Sequence, residues 1–240
     1  MKVLITRPMA DAVPFAKALN GAGYSAVIEP MIRIRPLSVP DPEFTQLMEG
    51  VSGLLFTSAN GVRAFSERCK TRNLTAWCVG MGSAAAARHA GFSNIETAGG
   101  DVEMLSAHVR AHSSPEAGPL LHVAGSHRAG DLSALLTQAG FEVRRVVLYQ
   151  AHARSALTSQ TRDALRSGHV DVLTLFSPRT ARLLSELAIS AGLKTELGHL
   201  TVISLSQAVR DAFTLPVKQH IIARARHQDA VVSAIHHLAG

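Results

Sequence analysis

Two hydrophobic patterns alternate along this chain. Continuous apolar runs, VLIT (3–6), SAVIEP (25–30), GLLFT (53–57), AWCVG (76–80), PLLHVA (119–124), DVLTLF (171–176) and LTVIS (200–204), read as strands. A longer extended stretch, FEVRRVVLYQAHA, covers 141–153. Between them, apolar positions recur every three or four residues, which predicts helices over 60–72, 82–90, 101–112, 128–139, 158–167, 178–191, 206–213 and 228–239. An earlier helix follows the first strand, with Val13, Ala16, Leu19 and Ala22 at helical spacing and Gly21 and Gly23 to stop it. Strand alternating with helix predicts an α/β fold in which a parallel sheet is covered on both faces.

The pattern repeats. LLFTSANGVRAF (54–65) is echoed by LTLFSPRTARLL (173–184), with Ser58 over Ser177 and Arg63 over Arg182. VLITRPMADAVPFAKALNGAGYSAVIEP (3–30) is echoed by LLHVAGSHRAGDLSALLTQAGFEVRRVV (120–147), where Leu19 meets Leu136, Gly23 meets Gly140 and Tyr24 meets Phe141. WCVGMGSAAAARHAGF (77–92) is echoed by TVISLSQAVRDAFTL (201–215), with Val79 over Ile203 and Ala84 over Ala208. Generic βα units resemble one another by chance, but three matches in one order predict two similar domains. IRIRPLSVPDP (32–42) and VVLYQAHAR (146–154) break the rhythm. Both are extended and lie at junctions between repeated units, so they are expected to be linkers that pair as a short ladder.

Composition narrows the function. The chain has 240 residues, 47% hydrophobic and 18% charged, which suits a folded protein rather than a disordered one. Its 24 Lys and Arg against 18 Asp and Glu leave a charge of +6, favouring anionic partners. The cations are scattered and no aromatics interleave with them, so no nucleic acid partner is expected. Cys69 and Cys78 lack metal-ligand spacing and read as buried free thiols in a reducing compartment. Arg7, Pro8 and Asp11 interrupt the N-terminus before any signal-peptide core forms, and no segment approaches the roughly 18 apolar residues of a membrane span. A cytoplasmic protein with no membrane partner is expected.

Candidate chemistry gathers where strands give way to helices. Each repeated strand ends in small or hydroxyl residues: Thr6-Arg7-Pro8, Thr57-Ser58-Ala59-Asn60, Gly80-Met81-Gly82-Ser83, Ala124-Gly125-Ser126, Ser177-Pro178 and Ser204-Leu205-Ser206. Ligands of open parallel sheets bind at the carboxyl ends of strands. There the first helical N–H groups are unpaired and the helix dipole is positive, so a carboxylate or phosphate is welcome. Any single serine reads first as an ordinary helix cap. Six such turns together point to an anion-binding surface.

Other chemistries fit less well. VGMGSA has the GxGxxA form of a dinucleotide fingerprint, but only Asp101, in a Gly-Gly-Asp loop, stands at the distance of the expected acidic partner. Of twelve histidines, His108 and His112 are four apart on a helix and His236 and His237 adjoin the end, yet no three-ligand spacing forms, so no metal is expected. No G-x-S-x-G elbow marks a hydrolase. Tyr149, one of two tyrosines, lies on the second extended segment. Its phenol either donates a proton or hydrogen bond into an interdomain cleft or packs against the linker.

VLITRP, FTSANGVRAF, VGMGSAAAARHAGF, the glycine-bearing turn after LLHVAG, VVLYQA, TLFSPRTARLL and ISLSQAV, in this order and spacing, resemble the uroporphyrinogen-III synthase family over nearly the whole chain. The resemblance implies two similar flavodoxin-like parallel-sheet domains joined by a two-stranded β linker. It assigns 1–33 with 154–240 to one discontinuous domain, 38–147 to the other, and 34–37 and 148–153 to the linker. It implies cyclisation of hydroxymethylbilane, a linear tetrapyrrole with eight carboxylates, to uroporphyrinogen III, with loss of water, inversion of the last ring and no cofactor. A monomer is expected. The family's cleft tyrosine matches Tyr149, as an aid to departure of the hydroxyl. Its binding residues match Ser58, Ser177 and Ser206, with Arg7 and Gly80, Gly82 and Ser83 nearby. Asn60, Gly125 and Ser126 complete the candidate set. Where the family commonly has Thr at the start of the last repeated helix, this chain has Gln207, which puts a capping role there in doubt. The competing reading is a two-domain binding protein that closes over a small anion without reacting it.

Overall fold

A computed structural model describes residues 1–126 and 131–239. In chain order, the first segment carries β1 (Lys2–Ile5), α1 (Met9–Gly21), β2 (Ser25–Ile28) and β3 (Ile32–Pro36). The middle follows with α2 (Asp41–Met48), β4 (Gly53–Phe56), α3 (Ala59–Arg68), β5 (Thr75–Cys78), α4 (Met81–His89), β6 (Ile95–Thr97), α5 (Val102–His112), β7 (Leu120–Gly125), α6 (Leu132–Gln138) and β8 (Val143–Ala153). The last third holds α7 (Ser159–Arg166), β9 (Val172–Leu175), α8 (Pro178–Ser190), β10 (Thr201–Ser204), α9 (Gln207–Asp211), β11 (Gln219–Ile222) and α10 (Gln228–Ala239).

Two compact units result. Unit 1 comprises Met1–Arg33 and His152–Gly240, and unit 2 is Ile34–Ala151. The unit 1 sheet runs β11-β10-β9-β1-β2, all parallel. In order of appearance within the unit this is 2-1-3-4-5, the flavodoxin order. In unit 2 the sheet runs β3-β8-β7-β4-β5-β6. Its five parallel strands, β8-β7-β4-β5-β6, are extended by β3 outside β8. The N–H of Leu37 donates to the Leu148 carbonyl (2.8 Å) and that of Arg154 to the Met31 carbonyl (3.0 Å). One partner advances as the other recedes, so the two extended crossings form an antiparallel ladder.

Burial on both faces explains the continuous apolar runs. In unit 2, Leu54, Phe56, Leu121 and Val123 face Val62 and Phe65 of α3, while Leu55 and Leu120 face Leu105, Val109 and Leu136 on the other side. In unit 1, Val3, Ile5, Val172 and Ile203 pack with Phe15, Leu19, Val231 and Ile235. The matched glycines stop their helices in the same way. Gly23 and Gly140 adopt φ of 84° and 89°, and the next N–H, of Tyr24 or Phe141, returns to the carbonyl of Leu19 or Leu136.

Four departures from the pattern have physical causes. Val13 is 52% exposed; the buried stripe of α1 is Ala12, Phe15, Ala16 and Leu19, centred on the larger phenylalanine. The α2 helix was hidden by Pro40 and Pro42, which sit at its cap and first turn, where no N–H is needed. β6 and β11 are edge strands with no fully buried residue, so neither carries a continuous apolar run. Cys69 is only half-buried and donates to Thr71 Oγ1, whereas Cys78 is fully buried. The helix expected over 128–139 is present from Leu132, capped by Asp131; 128–130 lie outside the described residues. Among the described residues no helix is long and apolar enough to cross a membrane.

Glu29 anchors the junction. It follows β2 and is wholly buried, with one carboxylate oxygen ion-paired and the other accepting two hydrogen bonds. Arg154 Nε lies 3.1 Å from one, and the Thr158 N–H (3.0 Å) and hydroxyl donate to the other. The carboxylate thus ties the chain leaving unit 1 to the chain returning to it.

Candidate functional site

Strand order reverses between β4 and β7 in unit 2, because β5 and β6 lie on one side of β4 and β7 and β8 on the other. Such a reversal opens a crevice at the carboxyl edge of a parallel sheet. Ser58, Asn60, Gly125, Ser126 and Tyr149 converge there. Ser58 caps α3 in extended geometry, its Oγ accepting the Asn60 N–H at 3.1 Å. Asn60 Oδ1 accepts from Arg63 Nη1 at 3.1 Å. Ser126 is exposed, and its N–H donates to the Tyr149 carbonyl at 3.0 Å.

Tyr149 reaches this spot through a bulge. The register pairs Ala124 with Val147 but Gly125 with Tyr149, leaving Leu148 as the extra residue. Leu148 belongs to the core beneath α3, and the Tyr149 ring also lies on the α3 side, beside Gly61. Regular alternation would have turned one of the two away. The ring is 8% exposed. Burial pushes its pKa above the ordinary value of 10, and a hydrogen bond with the Ser58 side chain works weakly against that. The phenol is therefore protonated at neutral pH. The ring packs between Gly125 and Gly61 and keeps its hydroxyl beside the Ser58 cap.

Along the same edge, Gly80 caps α4. Ser83 turns inward, 4% exposed, and its Oγ donates to the Gly80 carbonyl at 2.9 Å. A Cβ on Gly80 or Gly82 would meet nothing within 4 Å, so this turn presents open backbone. The dinucleotide reading loses its acidic partner, because Asp101 accepts the Met104 N–H (2.9 Å) as the cap of α5. Beneath the turn, burial drives the Cys78 thiol from 9.0 up to about 12, opposed by the Ser83 hydrogen bond and the charge of Arg88.

In unit 1 the reversal falls between β1 and β9. Arg7 follows β1 and Ser177 follows β9. Arg7 is well held: Nη1 donates to Gln228 Oε1 (2.9 Å), Nη2 lies 3.7 Å from Asp11, and the guanidinium stacks 4.2 Å above the Phe176 ring. Ser177 Oγ accepts the Thr180 N–H (3.2 Å) and donates to Thr180 Oγ1 (2.8 Å). Ser206 caps α9 by position without a side-chain bond, and Gln207 Nε2 donates to Asp211 Oδ1 at 2.6 Å. Gln207 therefore braces its own helix instead of capping it.

Two residues at the edge escaped the sequence reading. Arg145 Nη2 donates to the Gly125 carbonyl at 2.9 Å, but it looked like any exposed strand arginine. Gly61 lets Val123 approach, since a Cβ there would stand 2.9 Å from that carbonyl; its signal was a glycine in a first helical turn. His108 bonds Glu96 Oε2 (2.8 Å) and lies tilted against the His112 ring, and among the described residues no three potential metal ligands cluster.

Fold and edge geometry define a doubled α/β protein of two parallel sheets, each with capped helices at its strand-order reversal. Comparison with known proteins narrows the class. Residues 13–233 match the family model described as uroporphyrinogen-III synthase HemD, and the chain belongs to that family. A curated uroporphyrinogen-III synthase of Chlorobaculum parvum is 28% identical over 201 residues, covering 75% of this chain and 76% of the relative. The fold is shared with solved structures. These include uroporphyrinogen-III synthetase from Helicobacter pylori (TM-score 0.61, 15% identity, 99% of each chain) and a mutant uroporphyrinogen III synthase from Thermus thermophilus (TM-score 0.58, 17% identity, 100% of this chain and 99% of that one).

Proposed function

We propose that this chain cyclises hydroxymethylbilane to uroporphyrinogen III, with loss of water and inversion of the terminal ring. Family membership across 13–233 carries the reading. A substrate bearing eight carboxylates suits a chain of charge +6 whose strand-end turns offer unpaired helical N–H groups. We place substrate binding at Arg7, Ser177, Ser206 and Gln207 in unit 1. In unit 2 we place it at Ser58, Asn60, Gly80, Gly82, Ser83, Gly125 and Ser126. Where hydroxyls are spent on their own helices, as at Ser177 and Ser83, the turn contributes backbone amides.

The chemistry asks for little acid strength. A pyrrole nitrogen lone pair expels the terminal hydroxyl, which leaves as water once a proton reaches it, and an electron-poor azafulvenium cation remains, its charge discharged when a ring proton is lost at final closure. The substituted carbon of the last ring then attacks to give a spiro intermediate that reopens and closes with that ring inverted. Tyr149 is the donor to the departing hydroxyl in this reading. The Asn60 N–H donates to Ser58, whose side chain stands beside the phenol and favours its ionised form, so the hydroxyl is held where it can face the substrate. Because burial raises the phenol's pKa, the proton is present across neutral pH. Control of product then comes from positioning and from fixed dipoles.

The test is an isomer-resolved assay. Purified protein given hydroxymethylbilane is expected to yield the type III ring; type I alone refutes the assignment. Tyr149→Phe is expected to slow turnover about tenfold or more, within the range of general acid assistance. An unchanged rate removes Tyr149 from the chemistry.

A further inference from the structure

Gly125 occupies a position where glycine has no conformational reason to be. It ends β7 without a left-handed φ, inside a buried strand, where glycine weakens pairing. Its neighbours supply another reason. A Cβ on Gly125 would stand 2.8 Å from both Cε2 and Cζ of Tyr149 and 3.1 Å from the phenol oxygen. No side chain other than hydrogen fits while the ring stays where it is. On the ring's other edge, Cε1 would lie 3.8 Å from a Cβ on Gly61, in the first turn of α3. The bulge that brings Tyr149 opposite Gly125 places the ring on the α3 side. Arg145 holds the Gly125 carbonyl at 2.9 Å, and the Ser126 N–H holds the Tyr149 carbonyl at 3.0 Å. The bulge is thus pinned from both strands.

We infer that Gly125 is a positioning residue: its bare backbone, opposite the bulge at Leu148, forms a slot that seats the Tyr149 ring with its hydroxyl against Ser58. The inference rests on the reading above only for its effect on turnover. The seating itself is measurable without activity.

Two measurements test it. The first uses Tyr24→Phe, which leaves Tyr149 as the single tyrosine of the chain. Tyrosinate absorbance then follows one group through alkaline pH, with circular dichroism checking that the fold persists. The phenol is expected to ionise above the ordinary range, and adding Gly125→Ala is expected to bring its ionisation back toward that range by expelling the ring into water. Superimposable titrations overturn the slot. The second is a double-mutant cycle on melting temperature and turnover. Gly125→Ala should lower the melting temperature and cut kcat about tenfold, with KM within about twofold, a loss bounded by the phenol's own contribution. In a Tyr149→Ala background the same change should add no further loss in either quantity, even if Gly125→Ala alone folds poorly. Equal losses in both backgrounds overturn the inference. If the titration moves and the melting temperatures couple while kcat of Gly125→Ala is unchanged, the seating stands and the phenol's role in the reaction falls.

Discussion

The turns after β4 and after β9 have the same sequence plan and different internal wiring. Both place a serine as N-cap in extended geometry, at φ of −159° for Ser58 and −146° for Ser177, and both stand beside a strand-order reversal. Ser177 closes on itself, because its proton goes to Thr180, a residue only 5% exposed. Ser58 has no hydroxyl three residues on, where Gly61 takes the place of Thr180, and its side chain instead stands close enough to Tyr149 to bias the phenol toward ionisation. One repeated element is therefore a finished cap in unit 1 and a support for another side chain in unit 2. A duplicated motif keeps its fold-making role in both copies and is free to add chemistry in one.

The contrast can be broken by pH, by stability and by rate. Alkali gives the largest swing. The Cys78 thiol is raised from 9.0 to about 12 by burial, and Tyr149 is raised above 10, so the folded form holds protons that the unfolded form releases. Their stabilisation is complete below pH 9 and drains away as pH climbs toward 12. Unit 2 holds Trp77, the chain's one tryptophan, so urea unfolding followed by Trp77 fluorescence should show this loss, and Cys78→Ala should flatten it. Glu29→Ala comes next. Glu29 is buried while Arg154 is partly exposed, so the loss of its ion pair and of two hydrogen bonds from Thr158 should cost about 2 kcal/mol. The loss should appear in circular dichroism of unit 1 before the Trp77 signal moves. Ser58→Ala should slow turnover about fivefold, the worth of one net hydrogen bond. Ser177→Ala should be the mildest, costing about 1 kcal/mol of stability as a lost cap, with turnover within about twofold. A larger rate effect at Ser177 than at Ser58 would reverse the comparison.

Much of this architecture was visible as pattern. GLLF and VLTL advertised strands buried on both sides, and the Leu-Gly-aromatic echoes marked helix ends that prove to share one cap. Elements that owe little to apolar spacing stayed hidden: α2, opened by prolines, and the edge strands β6 and β11. At the site, the serine turns were legible because caps are local. The seating of Tyr149 was not. It depends on a bulge and on glycines from two elements far apart in sequence, and no spacing rule encodes a register shift.

The interleaving of unit 1 fixes an order of events on the ribosome. β1 is an interior strand flanked by β2 and β9, and the Lys2 N–H reaches the Asp171 carboxylate across 169 residues. The nascent amino-terminal segment must stay unpaired on one side while all of unit 2 emerges and becomes able to collapse. Translation speed through 34–151 therefore sets how long that half-made sheet edge is open to mispairing or chaperone capture.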